Sequence, residues 1–136
     1  METTRDEAGV IDPWMWQSQY AFVHGRRVPG AHSVLHCAGQ TSVDEHGRPI
    51  HEGDMAAQLT QAFNNLETVL NAAGFDLSNV VRLNYYTTDV DGLFACYEIV
   101  TSRLATGGAN PCSTLLGVTW LTFPELLVEL EATASG

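Results

Sequence analysis

Between Asp54 and about Ala73, the apolar residues Met55, Leu59, Ala62, Phe63, Leu66, Val69, Leu70 and Ala73 recur at helical spacing. Apolar residues three and four apart form one stripe on an α-helix, so this segment reads as a helix with one buried face. Asp54 stands where a side-chain cap is wanted and Gly74 where a helix stops. Whatever this chain folds into must supply a surface for that stripe.

The segments around it supply one. "NVVRLNYYTT" has the β-branched and aromatic content of a strand, with Val81, Leu83 and Tyr85 alternating with Arg82, Asn84 and Tyr86. "SVLHCAGQTS" reads as a strand before the helix, and "YAFVHG" as a shorter one before that. "STLLGVTW" and "LLVELEATA" read as two more at the C-terminal end. A second helix, from about Gly92 to Leu104, sets Leu93, Cys96, Tyr97, Val100 and Leu104 on one face, where Cys96 serves as packing. The order predicts an α+β fold, a mixed sheet with two helices packed on one face. The other face is left bare, and self-association into a closed oligomer would cover it.

At 136 residues the chain fits a single domain, 1–136, with residues 1–15 expected to be loosely ordered. Cysteines at 37, 96 and 112 form an odd, widely spaced set, which predicts free thiols in a cytoplasmic protein and no disulfide framework. No apolar run suits a membrane span and no basic start with an apolar block suggests a secretory signal. The net charge is −10, all six basic residues are arginine, and there is no lysine. That balance disfavours nucleic acid and anionic membranes, and excludes lysine Schiff-base chemistry. Neither GxGxxG nor GxxxxGK[ST] occurs, and Cys/His spacings suit no metal, so no nucleotide cofactor and no metal are expected.

Three features bear on chemistry. In "LLVELEATA", Glu129 and Glu131 sit two apart on a strand and point the same way. They are either a solvated face or a pair of which one enters a pocket as acid, base or water-holder. Cys112 has no base and no cation near it in sequence, which argues against a nucleophile. Ser113 and Thr114 are hydroxyls that either cap a strand edge or donate to a ligand.

The run from "AGQTSVDEHGRPIHEGDMAAQLTQAFNNLETVLNAAGFDLSNVVRLNYYTTDV" to "NPCSTLLGVTWLTFPELLVELEATA" resembles the Rid family, the YjgF-like reactive intermediate deaminases. The shared marks are the small-Gly-Gln strand end, the D-x-x-x-Q-x-x-x-x-x-x-N-L helix, the A-A-G stop and the V-E-x-E-A strand. The resemblance implies a chorismate-mutase-like fold and a homotrimer whose sheets form an inner barrel with clefts between subunits. It also implies cofactor-free hydrolysis of enamines or imines. Glu129 then corresponds to the water-positioning glutamate, and Phe22 to an aromatic of the early Y-V-x-G segment, with His24 two residues on. Ser113 stands where active relatives place the arginine that grips the substrate carboxylate, and no arginine follows Leu104.

The expected function is therefore an enamine or imine deaminase of altered specificity. Glu129 would be catalytic, and Ser113, Cys112, Thr114, Phe22, His24 and Trp120 would bind substrate. Two alternatives share the site: a non-catalytic small-metabolite binder using the inter-subunit cleft, and a tautomerase- or cyclase-like enzyme of specialised metabolism. The family's older labels of translation inhibition and endoribonuclease activity sit poorly with the −10 charge.

Overall fold

The computed structural model describes residues 9–30 and 33–136. Its centre is α1 (Met55–Ala72), capped by Asp54, whose side chain accepts from the Ala57 amide at 3.0 Å. At the far end Gly74, at φ +78°, adopts the left-handed turn, and the Phe75 amide returns to the Leu70 carbonyl at 2.9 Å. Leu59, Ala62, Phe63, Leu66 and Leu70 are fully buried. Met55 and Val69 are half-buried at the margin, and Ala73 is exposed, beyond the stripe's useful length.

The stripe packs on a sheet ordered β3–β7–β5–β6, with β4 also paired to β7. These strands are β3 (Val34–His36), β4 (Gln40–Thr41), β5 (Val80–Thr87), β6 (Cys112–Gly117) and β7 (Val128–Ser135). β7 runs antiparallel to β3, β4 and β5, while β6 is parallel to β5. Parallel neighbours need a crossover, and the segment between β5 and β6 holds α2 (Val90–Ala95) and α3 (Glu98–Thr106). Leu83, Tyr85, Val128, Leu130, Ala132 and Ala134 face α1 and are buried. All three cysteines are free.

Four expectations need correction. The single second helix is two, because at Cys96–Tyr97 the chain switches to three-residue bonds (Cys96 amide to Leu93 carbonyl 3.1 Å, Tyr97 to Phe94 3.2 Å). "SVLHCAGQTS" is two strands: between His36↔Thr133 and Gln40↔Leu130, four steps on one side face three on β7. The extra residue is a bulge at Cys37–Gly39. In β5 a register shift falls between Val80 and Arg82, so Val80, not Val81, takes the fully buried position.

"YAFVHG" is not a strand. Trp16–Tyr20 form a 3-10 turn, Ala21 at φ +62° reverses the chain, and the short β2 (Gly25–Arg26) pairs with β1 (Val10–Ile11). Of the residues expected to be loose, 1–8 lie outside the described residues. Val10 and Asp12 are buried, at 4% and 3% exposure, while Trp14 and Met15 are exposed.

One polar side chain lies inside the helix–sheet layer. Gln58 is 0% exposed; its amide nitrogen donates to the carbonyls of Glu125 (2.8 Å) and His51 (3.2 Å), and its oxygen accepts from the Leu127 amide (2.8 Å). Gln58→Ala strands the Leu127 amide and two carbonyls in a dry site, a loss of about 2–4 kcal/mol. Urea melts should show that loss, and Gln58→Leu should recover little of it, since volume is not what is missing. Loss of less than 1 kcal/mol in both variants would contradict this role, as a single unmade bond alone costs about that much.

Candidate functional site

The alternation that buries Leu83 and Leu130 turns Arg82, Asn84, Tyr86, Glu129 and Glu131 to the face away from the helices. The β5–β6 register (Arg82↔Cys112, Asn84↔Thr114) sets Cys112 and Thr114 on that same face. A polar ladder crosses it. Arg82 Nη1 donates to Thr114 Oγ1 (3.3 Å) and Asn84 Oδ1 (3.0 Å), and Asn84 Nδ2 donates to Glu131 Oε1 (3.3 Å). The Tyr86 hydroxyl donates to the same Glu131 oxygen at 2.6 Å. These two donors hold the Glu131 carboxyl below its usual range, first Tyr86 and then Asn84, so Glu131 is an exposed, satisfied anion.

Glu129 is its opposite. Half-buried, it receives no hydrogen bond from the described residues, and burial pushes its carboxyl above the usual carboxylate range, with repulsion from Glu131 adding to that. The side chain lies against the bulge at Gly39, where a Cβ would come 1.6 Å from Glu129 Oε2. A half-buried carboxylate with no hydrogen bond and a raised pKa is better suited than an exposed one to hold a water and take its proton.

A cleft of about 210 Å³ opens on the other side of the sheet. Its walls are the rings of Tyr20, Phe22, Tyr85, Phe94 and Tyr97, and Ser113 and Leu115 complete it. Tyr20 rides on the 3-10 turn and is tied in by the Tyr97 hydroxyl, which donates to its carbonyl at 2.9 Å. The Tyr20, Phe94 and Tyr97 rings meet at centroid distances of 5.5–6.3 Å. Tyr85 is 1% exposed, and no described donor reaches its hydroxyl oxygen. Burial, then the neighbouring Tyr97, drives that phenol well above its usual pKa. A larger hollow of about 620 Å³ between α1 and α3, lined by Thr60, Glu98 and Arg103 among others, is open and lies away from every residue singled out by the sequence.

The expected site residues thus divide. Ser113 and Phe22 meet in the cleft, while Glu129, Cys112 and Thr114 lie on the opposite face of the same sheet. His24 sits among Trp14, Trp16 and Phe22 at centroid distances of 5.2, 5.0 and 5.8 Å. Its Nε2 is buried without a hydrogen bond. Trp120 is 79% exposed and does not reach the cleft. Cys112 does have cations near it, Arg82 and Arg26, which its sequence neighbours do not supply; burial outweighs them and keeps the thiol pKa raised. It is no thiolate. Sequence reading missed the ring cluster because Tyr20, Tyr85 and Tyr97 are far apart in the chain and meet only where the 3-10 turn and the crossover converge on β5. Among the described residues no group of three or more His, Cys, Asp or Glu could hold a metal, and no helix is long and apolar enough to cross a membrane.

Comparison with known proteins places the chain. Residues 18–135 match the model of the family described as Endoribonuclease L-PSP. A RutC family protein of Pyrococcus horikoshii is 29% identical over 104 residues, covering 76% of this chain and 80% of its own. The rat protein named 2-iminobutanoate/2-iminopropanoate deaminase is 30% identical over 66 residues, 48% of each chain. The structure of YyfB from Yersinia pestis, of the conserved Rid protein family, matches with TM-score 0.83 and 33% identity over 93% of this chain and 96% of that one. The chain belongs to this family, the Rid or YjgF-like proteins.

The contrast between the two glutamates is measurable. Carbon-detected NMR titration should find Glu129 protonating at higher pH than Glu131. Gly39→Ala evicts the Glu129 carboxylate into water, and Glu131→Gln removes its repulsive neighbour, so each should lower the Glu129 midpoint. A midpoint unmoved by both would show that neither burial against Gly39 nor Glu131 sets it.

Proposed function

We propose that this Rid-family protein hydrolyses the C=N bond of enamine- or imine-type metabolites that carry no carboxylate beside the imine. The observation that carries the reading is Glu129, a half-buried carboxylate with no hydrogen bond and a raised pKa. Ionised Glu129 takes a proton from water as the water oxygen adds to the imine carbon, and the nitrogen gains a proton. The resulting carbinolamine expels ammonia as its hydroxyl becomes the new carbonyl. One imine and one water yield one carbonyl compound and one ammonia, so no cofactor enters the balance.

Relatives named as 2-iminobutanoate/2-iminopropanoate deaminases support C=N hydrolysis as the chemistry. The restriction against carboxylates is this chain's own. Ser113 offers no charge where the resemblance puts an arginine, and a charge-assisted bidentate contact is worth roughly 1.5–3 kcal/mol. Arg82 does not replace it. It lies four residues along β5 from Tyr86, the register partner of Glu129, which at ~3.3 Å per residue is about 13 Å away. The carboxylate and imine carbon of a 2-imino acid are adjacent, so one molecule cannot meet both groups in one protomer.

Glu129 and the aromatic cleft lie on opposite sheet faces, so we place the complete site between copies, in a homotrimer whose sheets form an inner barrel. The bare face supports this: besides the polar ladder it carries Val34 and Leu116, 54% and 49% exposed. Cys112 and Thr114 would flank such a site, with His24 behind Phe22. The charge of −10 and the free thiols fit a cytoplasmic protein that works on small molecules and does not bind nucleic acid or membranes. The uncharged cleft also suits a protein that only binds a metabolite, and a tautomerase- or cyclase-like reaction could use the same base.

Ammonia release from imines generated in situ separates these readings. The native protein should act on an uncharged imine at least tenfold faster than on 2-iminopropanoate, and Glu129→Gln should abolish release. Ser113→Arg should raise the 2-iminopropanoate rate by about tenfold or more, the equivalent of one charge-assisted contact. Because a raised carboxyl pKa penalises the ionised folded state, Glu129→Gln should also melt higher than the native protein at neutral pH. That gain should vanish once the pH falls below the pKa of both states. Equal rates on the two imines would end the specificity claim. If no imine is hydrolysed faster than in buffer while ligands still bind, the binding role holds instead.

A further inference from the structure

We infer that the aromatic cleft is a cage for an organic cation bearing an N–H, an alkyl- or arylalkyl-ammonium or the corresponding iminium. Five rings, those of Tyr20, Phe22, Tyr85, Phe94 and Tyr97, surround about 210 Å³, and among the described residues no charged side chain lines the space. Ring faces carry negative potential and attract a cation that has lost part of its water. The same faces repel an anion, and a net charge of −10 acts in the same direction at longer range.

The second observation is the Tyr85 hydroxyl. It lies in a residue 1% exposed, on the wall of the cleft, and among the described residues no donor reaches its oxygen. A buried hydroxyl left unmade is costly, and such groups in folded proteins generally have an explanation. The neighbouring Tyr97 hydroxyl spends its one proton on the Tyr20 carbonyl, so toward Tyr85 it can only accept, and the Tyr85 oxygen is left without a donor. A ligand N–H donating to the Tyr85 oxygen satisfies that atom while the rings hold the charge. A hydrocarbon ligand would do neither. The Ser113 hydroxyl, at the same cleft, leaves room where an arginine would fill the space and repel a cation.

This deepens the reading above, and rests on it in one respect: an iminium is the protonated form of the imines whose hydrolysis is proposed. Protonation makes the C=N carbon more electrophilic, so a cage that favours the cation also favours water attack. The binding claim itself needs no catalysis.

Isothermal titration calorimetry with benzylammonium, benzyl alcohol and benzoate on the full-length protein tests it. These probes share size and ring and differ in charge. Benzylammonium should bind about tenfold tighter than benzyl alcohol, and benzoate more weakly than either. Tyr85→Phe should weaken the cation several-fold and the alcohol less, with little loss of thermal stability, since no donor bonds the lost oxygen in the free protein. Phe94→Leu, at a half-exposed ring, should weaken the cation as well. Benzyl alcohol binding as tightly as the cation, or benzoate binding best, would overturn the inference. So would a Tyr85→Phe variant that binds benzylammonium like the native protein. Cation binding without any imine hydrolysis would leave the cage standing and remove the catalytic reading. Hydrolysis of uncharged imines with no benzylammonium binding would do the reverse.

Discussion

The amide of Gln58 is sealed between α1 and the approach to β7, and its bonds to the backbone of His51, Glu125 and Leu127 decide where that strand begins. Two turns further along the helix, Asn65 Nδ2 donates to the carbonyls of Thr41 (2.8 Å) and Val43 (3.1 Å), which anchors β4 in the same way. These are the polar positions of the D-x-x-x-Q-x-x-x-x-x-x-N-L pattern. With β4 and β7 both tied to one rigid helix, the bulge at Gly39 falls against Glu129. The helix buries the core through its apolar stripe and positions the carboxylate through its two amides. An apolar residue at either place could fill the space, but the backbone groups it left unpaired would let the strands slip.

From that placement the electrostatics follow. Two glutamates on one strand face begin with the same chemistry and end with opposite properties, because Tyr86 and Asn84 reach Glu131 while no described donor reaches Glu129. The satisfied anion raises the pKa of the unsatisfied one. In the cleft across the sheet the described lining carries no charge, only rings, Leu115 and the hydroxyls of tyrosine and serine. A substrate lying between such surfaces meets an anion on one side and π-faces on the other, and neither welcomes a carboxylate. The uncharged Ser113 is therefore matched by its surroundings.

The elements with long regular patterns were legible in the sequence: α1, β5, β6 and β7 occupy the expected segments because burial on one side imposes a period. Elements shaped by local geometry were not. The Cys37–Gly39 bulge and the Val81 register shift add a residue without changing composition, and the left-handed Ala21 has nothing in its side chain to announce it. Glu129 stood out through its family motif, yet its separation from Ser113 depends on strand register, which no local pattern carries. Arg82 was hidden for the same reason: it is distant from Cys112 in the chain and its direct neighbour across β5 and β6.

The central claim is that Glu129 of one copy and the aromatic cleft of another make one site. Subunit mixing tests it directly: Glu129→Gln protein is unfolded and refolded with Leu115→Trp protein, in which the cleft is filled. Each variant alone should be inactive on an uncharged imine. In randomly mixed trimers roughly a quarter of the junctions pair a native glutamate with a native cleft, so roughly a quarter of the native rate should return. A mixture as inactive as its components, with trimers shown to have exchanged subunits, would contradict a shared site.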